Sequence, residues 1–179
     1  QKLLETNLLV RLKANQQSQA FDILRTKIQL LMKKNGWSRL GITSPTPGCG
    51  KTTTACNLAF GFTRQSDVRA ILIELDLRQP NMQRMLGAPP RHDVTDMLKG
   101  EVPFAEQGLC IRSNLAVSLA RHPSIDPTSV LLNQKTHATL AEIEETYAPD
   151  VMIFDLPPVL VSDDTRAFLK DVDCALMVA

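Results

Sequence analysis

The sequence predicts an α/β fold, a doubly wound, mostly parallel sheet flanked by helices. Three observations predict it. Short apolar runs near 38–43, 70–75, 115–119, 151–154 and 174–179 alternate with helix-spaced segments near 51–65, 81–86, 93–99, 127–147 and 162–170. Strands alternating with helices give a parallel sheet with right-handed crossovers. Two of the runs, Ala70–Ile73 and Val151–Phe154, are continuously apolar, as strands covered on both faces are, and each gives way to carboxylates. The first run leads into the glycine-bearing turn Gly48-Cys49-Gly50-Lys51-Thr52, after which Ala55, Leu58, Ala59 and Phe62 recur at helical spacing.

Taken in order, residues 1–17 are polar and mixed and read as an arm or linker. Ser18 is placed to cap a helix running to about Met32, with Phe21, Leu24, Ile28 and Leu31 on one face. Lys33, Lys34, Asn35 and Gly36 end it, cations and an αL-capable residue at the carboxyl end. Residues 18–179 then form one domain, which stops in a strand at Ala179 and so is expected to lack its C-terminal part. At 179 residues such a domain buries roughly 70% of its unfolded-chain surface.

The turn at 48–52 has the chemistry of a phosphate cradle. Phosphates are held mainly by backbone N–H groups, so the chain must approach closely, and Gly48 and Gly50 allow that. Lys51 brings a point charge to the β/γ oxygens, the Thr52 hydroxyl is a Mg²⁺ ligand, and the helix start points its positive end at the anion. Pro45 stands where the full pattern has its first glycine. In an open α/β sheet the ligand sits at the carboxyl ends of the strands, which gathers Glu74, Asp76 and Asp155 around this loop. Mg²⁺ is held by one or two carboxylates plus waters and phosphate oxygens, which suits Asp155 and Asp76; Asp76 is also suited to take a proton from an attacking hydroxyl. Arg78 reads either as a phosphate contact or as an ion pair with a nearby acid, and Ser162-Asp163-Asp164 as a helix cap with first-turn acids.

Thr43-Ser-Pro-Thr-Pro-Gly-Cys-Gly-Lys-Thr52, Ile73-Glu-Leu-Asp-Leu-Arg-Gln-Pro80 and Phe154-Asp-Leu-Pro-Pro-Val-Leu160 together resemble the bacterial tyrosine kinases of capsule and exopolysaccharide export, of P-loop NTPase fold. The resemblance runs from about Ser18 to the end and includes Asp96–Gly100 and the proline-rich Pro123–Leu132. It implies ATP and Mg²⁺ as cofactors, bound by Pro47, Gly48, Cys49, Gly50, Lys51, Thr52 and Thr53. It implies Lys51, Asp76 and Glu74 as catalytic residues and Thr52, Asp76 and Asp155 as metal ligands. The activity it implies is transfer of the ATP γ-phosphate to tyrosine, largely within an oligomer of identical chains. The implied partners are a transmembrane polysaccharide co-polymerase or adaptor, fused or separate, and a cognate phosphatase. The implied location is the cytoplasmic side of the bacterial inner membrane. The chain departs from the pattern at Glu74, where the family has Asp, at Cys49, where it often has Glu, and at Gln19, Asp22 and Arg25, where a Glu-x-x-Arg-x-x-Arg pattern is common. Its single tyrosine is Tyr147. Two other readings use the same residues: a catalytically weak, ATP-gated assembly module, and a partitioning-type ATPase, against which Thr46 stands in place of that group's signature Lys.

The four cysteines are scattered without Cys-x-x-Cys spacing, which reads as reduced thiols, and the three histidines form no metal motif. A net charge of +1 gives no argument for nucleic acid.

Overall fold

The computed structural model describes residues 16–179, with side chains from Gln19 onward. The proposed arm at 1–17 therefore lies almost wholly outside the described residues. In chain order the elements are α1 (Gln16–Asn35), β1 (Arg39–Thr43), α2 (Lys51–Phe62), β2 (Ala70–Glu74), α3 (Met82–Leu86), α4 (Val94–Leu98), α5 (Phe104–Gln107), β3 (Leu109–Arg112) and β4 (Leu115–Ser118). There follow α6 (Pro127–Leu132), α7 (Gln134–Tyr147), β5 (Val151–Asp155), α8 (Asp164–Phe168), a 3₁₀ turn (Leu169–Asp171) and β6 (Cys174–Met177).

The six strands lie in the order β3-β4-β2-β5-β1-β6. All pairs are parallel except β3–β4, an antiparallel hairpin at one edge. The doubly wound sheet expected from the alternation is thus present. Its register places Glu74 beside Asp155, and Asp155 beside Ile42, so the carboxyl ends of β1, β2 and β5 meet at one rim.

Two cores cover the two faces. On one, α2 packs Ala55, Leu58, Ala59 and Phe62 against Leu72 and Ile153 of the sheet, and α1 closes over it with Ile28 and Met32. After its first turn helix α2 is buried all round, because it lies between the sheet and α1. On the other face Ile71, Ile73 and Phe154 pack against Val94, Leu131, Leu140, Ile143 and Phe168. Leu58, Leu72 and Ile153 are wholly buried, each contributing roughly 1.5–3 kcal/mol relative to exposure.

Three expectations need correction. Helix α1 begins at Gln16, so Ser18 lies inside it rather than capping it. Its packed stripe is Leu24, Ile28 and Met32, spaced i, i+4, while Leu31 is half exposed. The helix expected over 127–147 is two helices: Asn133 is extended (φ −67°, ψ 130°), and its side chain accepts the Lys135 amide at 2.8 Å, capping α7. The short elements α5 and β3 were not expected.

Candidate nucleotide site

Gly48 and Gly50 have φ of 85° and 89°, the left-handed region that favours glycine. Gly50 is the N-cap of α2 and makes no side-chain cap bond, so the amides of the first turn stay available to a ligand. The loop is also fixed to the segment after β5. Val159 N donates to Ser44 O at 2.8 Å, Leu160 N to Pro45 O at 3.2 Å, and Thr43 Oγ1 to Pro157 O at 2.7 Å. A Cβ on Gly50 would meet nothing within 4 Å, so Gly50→Ala carries a purely conformational cost of about 1–2 kcal/mol. Urea unfolding should register that loss, and a variant as stable as the parent would refute it.

Behind the loop lies a compact charged group. Lys51 Nζ sits 2.7 Å from Asp76 Oδ2 and 3.5 Å from Asp155 Oδ1. Thr52 Oγ1 donates to Asp155 Oδ2 at 2.7 Å. Burial alone would lower the Lys51 ammonium, but the charges of Asp155 and Asp76 outweigh it and the net shift is upward. Burial pushes Asp155 up to about 6 against the opposing pull of Lys51 and the Thr52 hydroxyl. Both partners thus shift upward, unlike a solvated ion pair. A wholly buried carboxylate holds its charge only with help, and here one lysine is shared between two acids.

A cleft of about 260 Å³ opens on this group, lined by Pro47, Gly48, Gly50, Lys51, Thr52, Thr53 and Asp76. Asp155 does not line it; wholly buried, it reaches the cleft through its contacts with Lys51 and Thr52. Cys49 does not line the cleft; its thiol faces Thr46 Oγ1 at 3.5 Å. Glu74 does not line it either. Its Oε1 accepts the amides of Asn81 (2.7 Å) and Met82 (2.8 Å), and its Oε2 accepts that of Ala120 (3.0 Å). The carboxylate is wholly buried, and burial pushes it up to about 7, with those amides pulling the other way. Arg78 pairs with Asp164, its Nη2 3.1 Å from Oδ1, and α8 starts there with no side-chain cap. Asp164 is therefore a buried ion-pair partner, and Asp163, the N-cap residue, makes no cap bond.

The sequence reading missed Gln79, Asn81, Met85 and Pro158, which complete the lining. Their signal was the turn after Asp76, where Pro80 reverses the chain, and the Pro157-Pro158 stop after Asp155.

The donor set fits a magnesium phosphate. Among the described residues no three His, Cys, Asp or Glu side chains gather as a metal cage. One hydroxyl and one or two carboxylates beside a phosphate cradle are the usual protein share of a Mg²⁺ shell, the rest coming from phosphate and water.

No family model matches the sequence. The chain is 30% identical over 162 residues to the tyrosine-protein kinase YwqD of Bacillus subtilis, covering 90% of this chain and 67% of that protein. It is 27% identical over 163 residues to AmsA of Erwinia amylovora, named a tyrosine-protein kinase, covering 90% of this chain and 22% of AmsA. It spans about a fifth of the length of the first curated relatives it matches. The solved kinase domain of the Escherichia coli tyrosine kinase ETK superposes with a TM-score of 0.82 at 25% identity, covering 93% of this chain and 64% of that one.

Proposed function

The chain belongs to the bacterial tyrosine-protein kinases, and from that premise we propose that it binds ATP with Mg²⁺ and transfers the γ-phosphate to a tyrosine hydroxyl. The observation that carries this reading is the Lys51–Asp76–Asp155–Thr52 group beneath a glycine-bearing helix start. Loop amides from Gly48 to Thr53 hold the phosphates, and Lys51 neutralises charge on the transferring group. Asp76, beside Lys51 and open to the cleft, accepts the proton of the attacking hydroxyl as its oxygen bonds to the γ-phosphorus and the bond to the ADP oxygen breaks. Thr52 and Asp155 would hold Mg²⁺, which would supply charge to shield the phosphate oxygens. Glu74 acts as a positioning residue: by binding the Asn81 and Met82 amides it fixes the loop that lines the cleft.

The kinase is proposed to regulate polymerisation and export of exopolysaccharide or capsule. It would work as a homo-oligomer with a transmembrane co-polymerase, opposed by a cognate phosphatase, at the cytoplasmic face of the inner membrane. Among the described residues no helix is long and apolar enough to cross a membrane; the co-polymerase is either fused to this domain or a separate chain.

One observation favours a second reading, a catalytically weak ATP-gated assembly module: the first acid of the Glu74-Leu-Asp76 motif, Glu74, is spent on backbone amides. Incubation with γ-labelled ATP and Mg²⁺, alone and with a tyrosine-bearing peptide or co-polymerase, separates the two. Label on tyrosine is expected; binding of Mg·ATP without any label on tyrosine would select the module.

A further inference from the structure

At the opposite end of the sheet from Lys51, where β2 and β4 begin, lies a second cavity of about 330 Å³. Its body is apolar: Ile71 and Ala116 contribute from the strands, and Phe104 and Tyr147 stand beside them, their rings edge-to-face at 5.2 Å and 66°. Small residues leave the space open. Gly108 is one of them, since a Cβ there would come within 2.9 Å of the Phe104 carbonyl oxygen and press on its ring. Two exposed arginines, Arg69 and Arg112, also line the cavity. Among the described residues no carboxylate pairs with either guanidinium; the neighbouring Asp150 accepts the backbone amide of Arg69 instead.

A volume of roughly 150 Å³ suffices to take up benzene, so 330 Å³ holds an aromatic ring with a polar substituent. Guanidinium groups recognise carboxylate and phosphate through paired, charge-assisted hydrogen bonds. Apolar walls with a few charged groups placed to fix orientation are the usual make-up of a small-ligand pocket. The geometry points to a binding site for an aromatic ring bearing an anionic group, ring against Phe104 and Tyr147, anion between Arg69 and Arg112. Such a group is carried both by a free aromatic acid or aryl phosphate and by a phosphotyrosine side chain. The site is separate from the nucleotide cleft and does not depend on the kinase reading.

The test is a ¹H–¹⁵N titration of the protein with Mg·ADP saturating its nucleotide cleft, using phenyl phosphate, phenylacetate, benzyl alcohol and inorganic phosphate as probes. Phenyl phosphate and phenylacetate are expected to move the resonances of Ile71, Ala116 and Tyr147, with benzyl alcohol and inorganic phosphate each at least about tenfold weaker. Arg69→Ala and Arg112→Ala, both at exposed side chains, should each weaken phenyl phosphate about tenfold. Ala116→Leu should block it by filling the cavity. A phosphotyrosine tripeptide binding more tightly than phenyl phosphate would assign the site to a polypeptide, and its exclusion would assign it to a free small molecule. Binding of inorganic phosphate as tight as that of phenyl phosphate, unchanged binding in both arginine variants, or no response at these resonances would overturn the assignment. Because Mg·ADP occupies the cleft throughout, failure here leaves the phosphoryl-transfer experiment untouched.

Discussion

Replacing Lys51 by methionine is expected to reduce ATP-dependent transfer by at least about 100-fold, the scale of losing one preorganised charge donor at a reacting oxygen. Methionine keeps the length of the side chain and removes the ammonium, which lies 2.7 Å from Asp76 and 3.5 Å from Asp155. The loss extends to the fold. Breaking a buried pair by removing one partner typically costs about 3–5 kcal/mol, because an uncompensated charge stays behind. The chain can evade part of this by protonating Asp155. That carboxyl already titrates near 6, above the ordinary 3.8, through burial. An acid with a raised folded pKa contributes stability that is whole below its unfolded value and lost as the pH climbs through the folded one. Without Lys51 the folded value rises further, so Lys51→Met should lose more stability at pH 8 than at pH 5.5. Urea unfolding at both pH values, beside transfer of labelled phosphate, measures the two effects. Equal stability losses at the two pH values would contradict the shared-lysine account of Asp155.

The second large effect belongs to Glu74. Burial raises its carboxyl from 4.5 to about 7, so the unfolded chain ionises it well before the folded chain does. Stability of the nucleotide-free domain should therefore fall between about pH 4.5 and 7, by an amount on the order of 3 kcal/mol at 1.36 kcal/mol per pKa unit. Glu74→Gln should remove this contribution and flatten the slope most between about pH 6 and 7, above the range in which Asp155 titrates. It should also destabilise the protein at every pH, by about 1–3 kcal/mol, because three amides now face a side chain with one acceptor oxygen and an NH₂ group. Unfolding free energies of both proteins from pH 5 to 8 provide the comparison. A variant that retains the parental slope would assign the pH dependence to another group.

Much of the architecture was legible because it rests on local pattern. The apolar runs at Ala70–Glu74 and Val151–Asp155 are buried on both faces, as unbroken apolar strands must be, and they ended within a residue of where the carboxylates begin. β3 escaped notice for the opposite reason. Leu109–Arg112 is an edge strand that buries alternate residues only partly, and its pairing depends on the turn before Leu115 rather than on its own composition. Asn133 was readable as a cap, yet a break of one residue in a long helical pattern shows only when that side chain turns to the Lys135 amide. At the site, Lys51, Thr52, Asp76 and Asp155 were found because strand ends converge by topology. The fate of Glu74 was not legible, since nothing local says which way the amides of Asn81, Met82 and Ala120 point. The partner of Arg78 was anticipated as a neighbouring acid, but the acid, Asp164, comes from a helix far along the chain.

The stitching of Ser44 and Pro45 to Val159 and Leu160 bears on the thermodynamics of ligand uptake. A cradle already locked in shape has little conformational freedom left to surrender when a triphosphate arrives. Its association heat should then come chiefly from new polar contacts, with a small heat-capacity change, and the amide protons of Val159 and Leu160 should exchange slowly even in ligand-free protein.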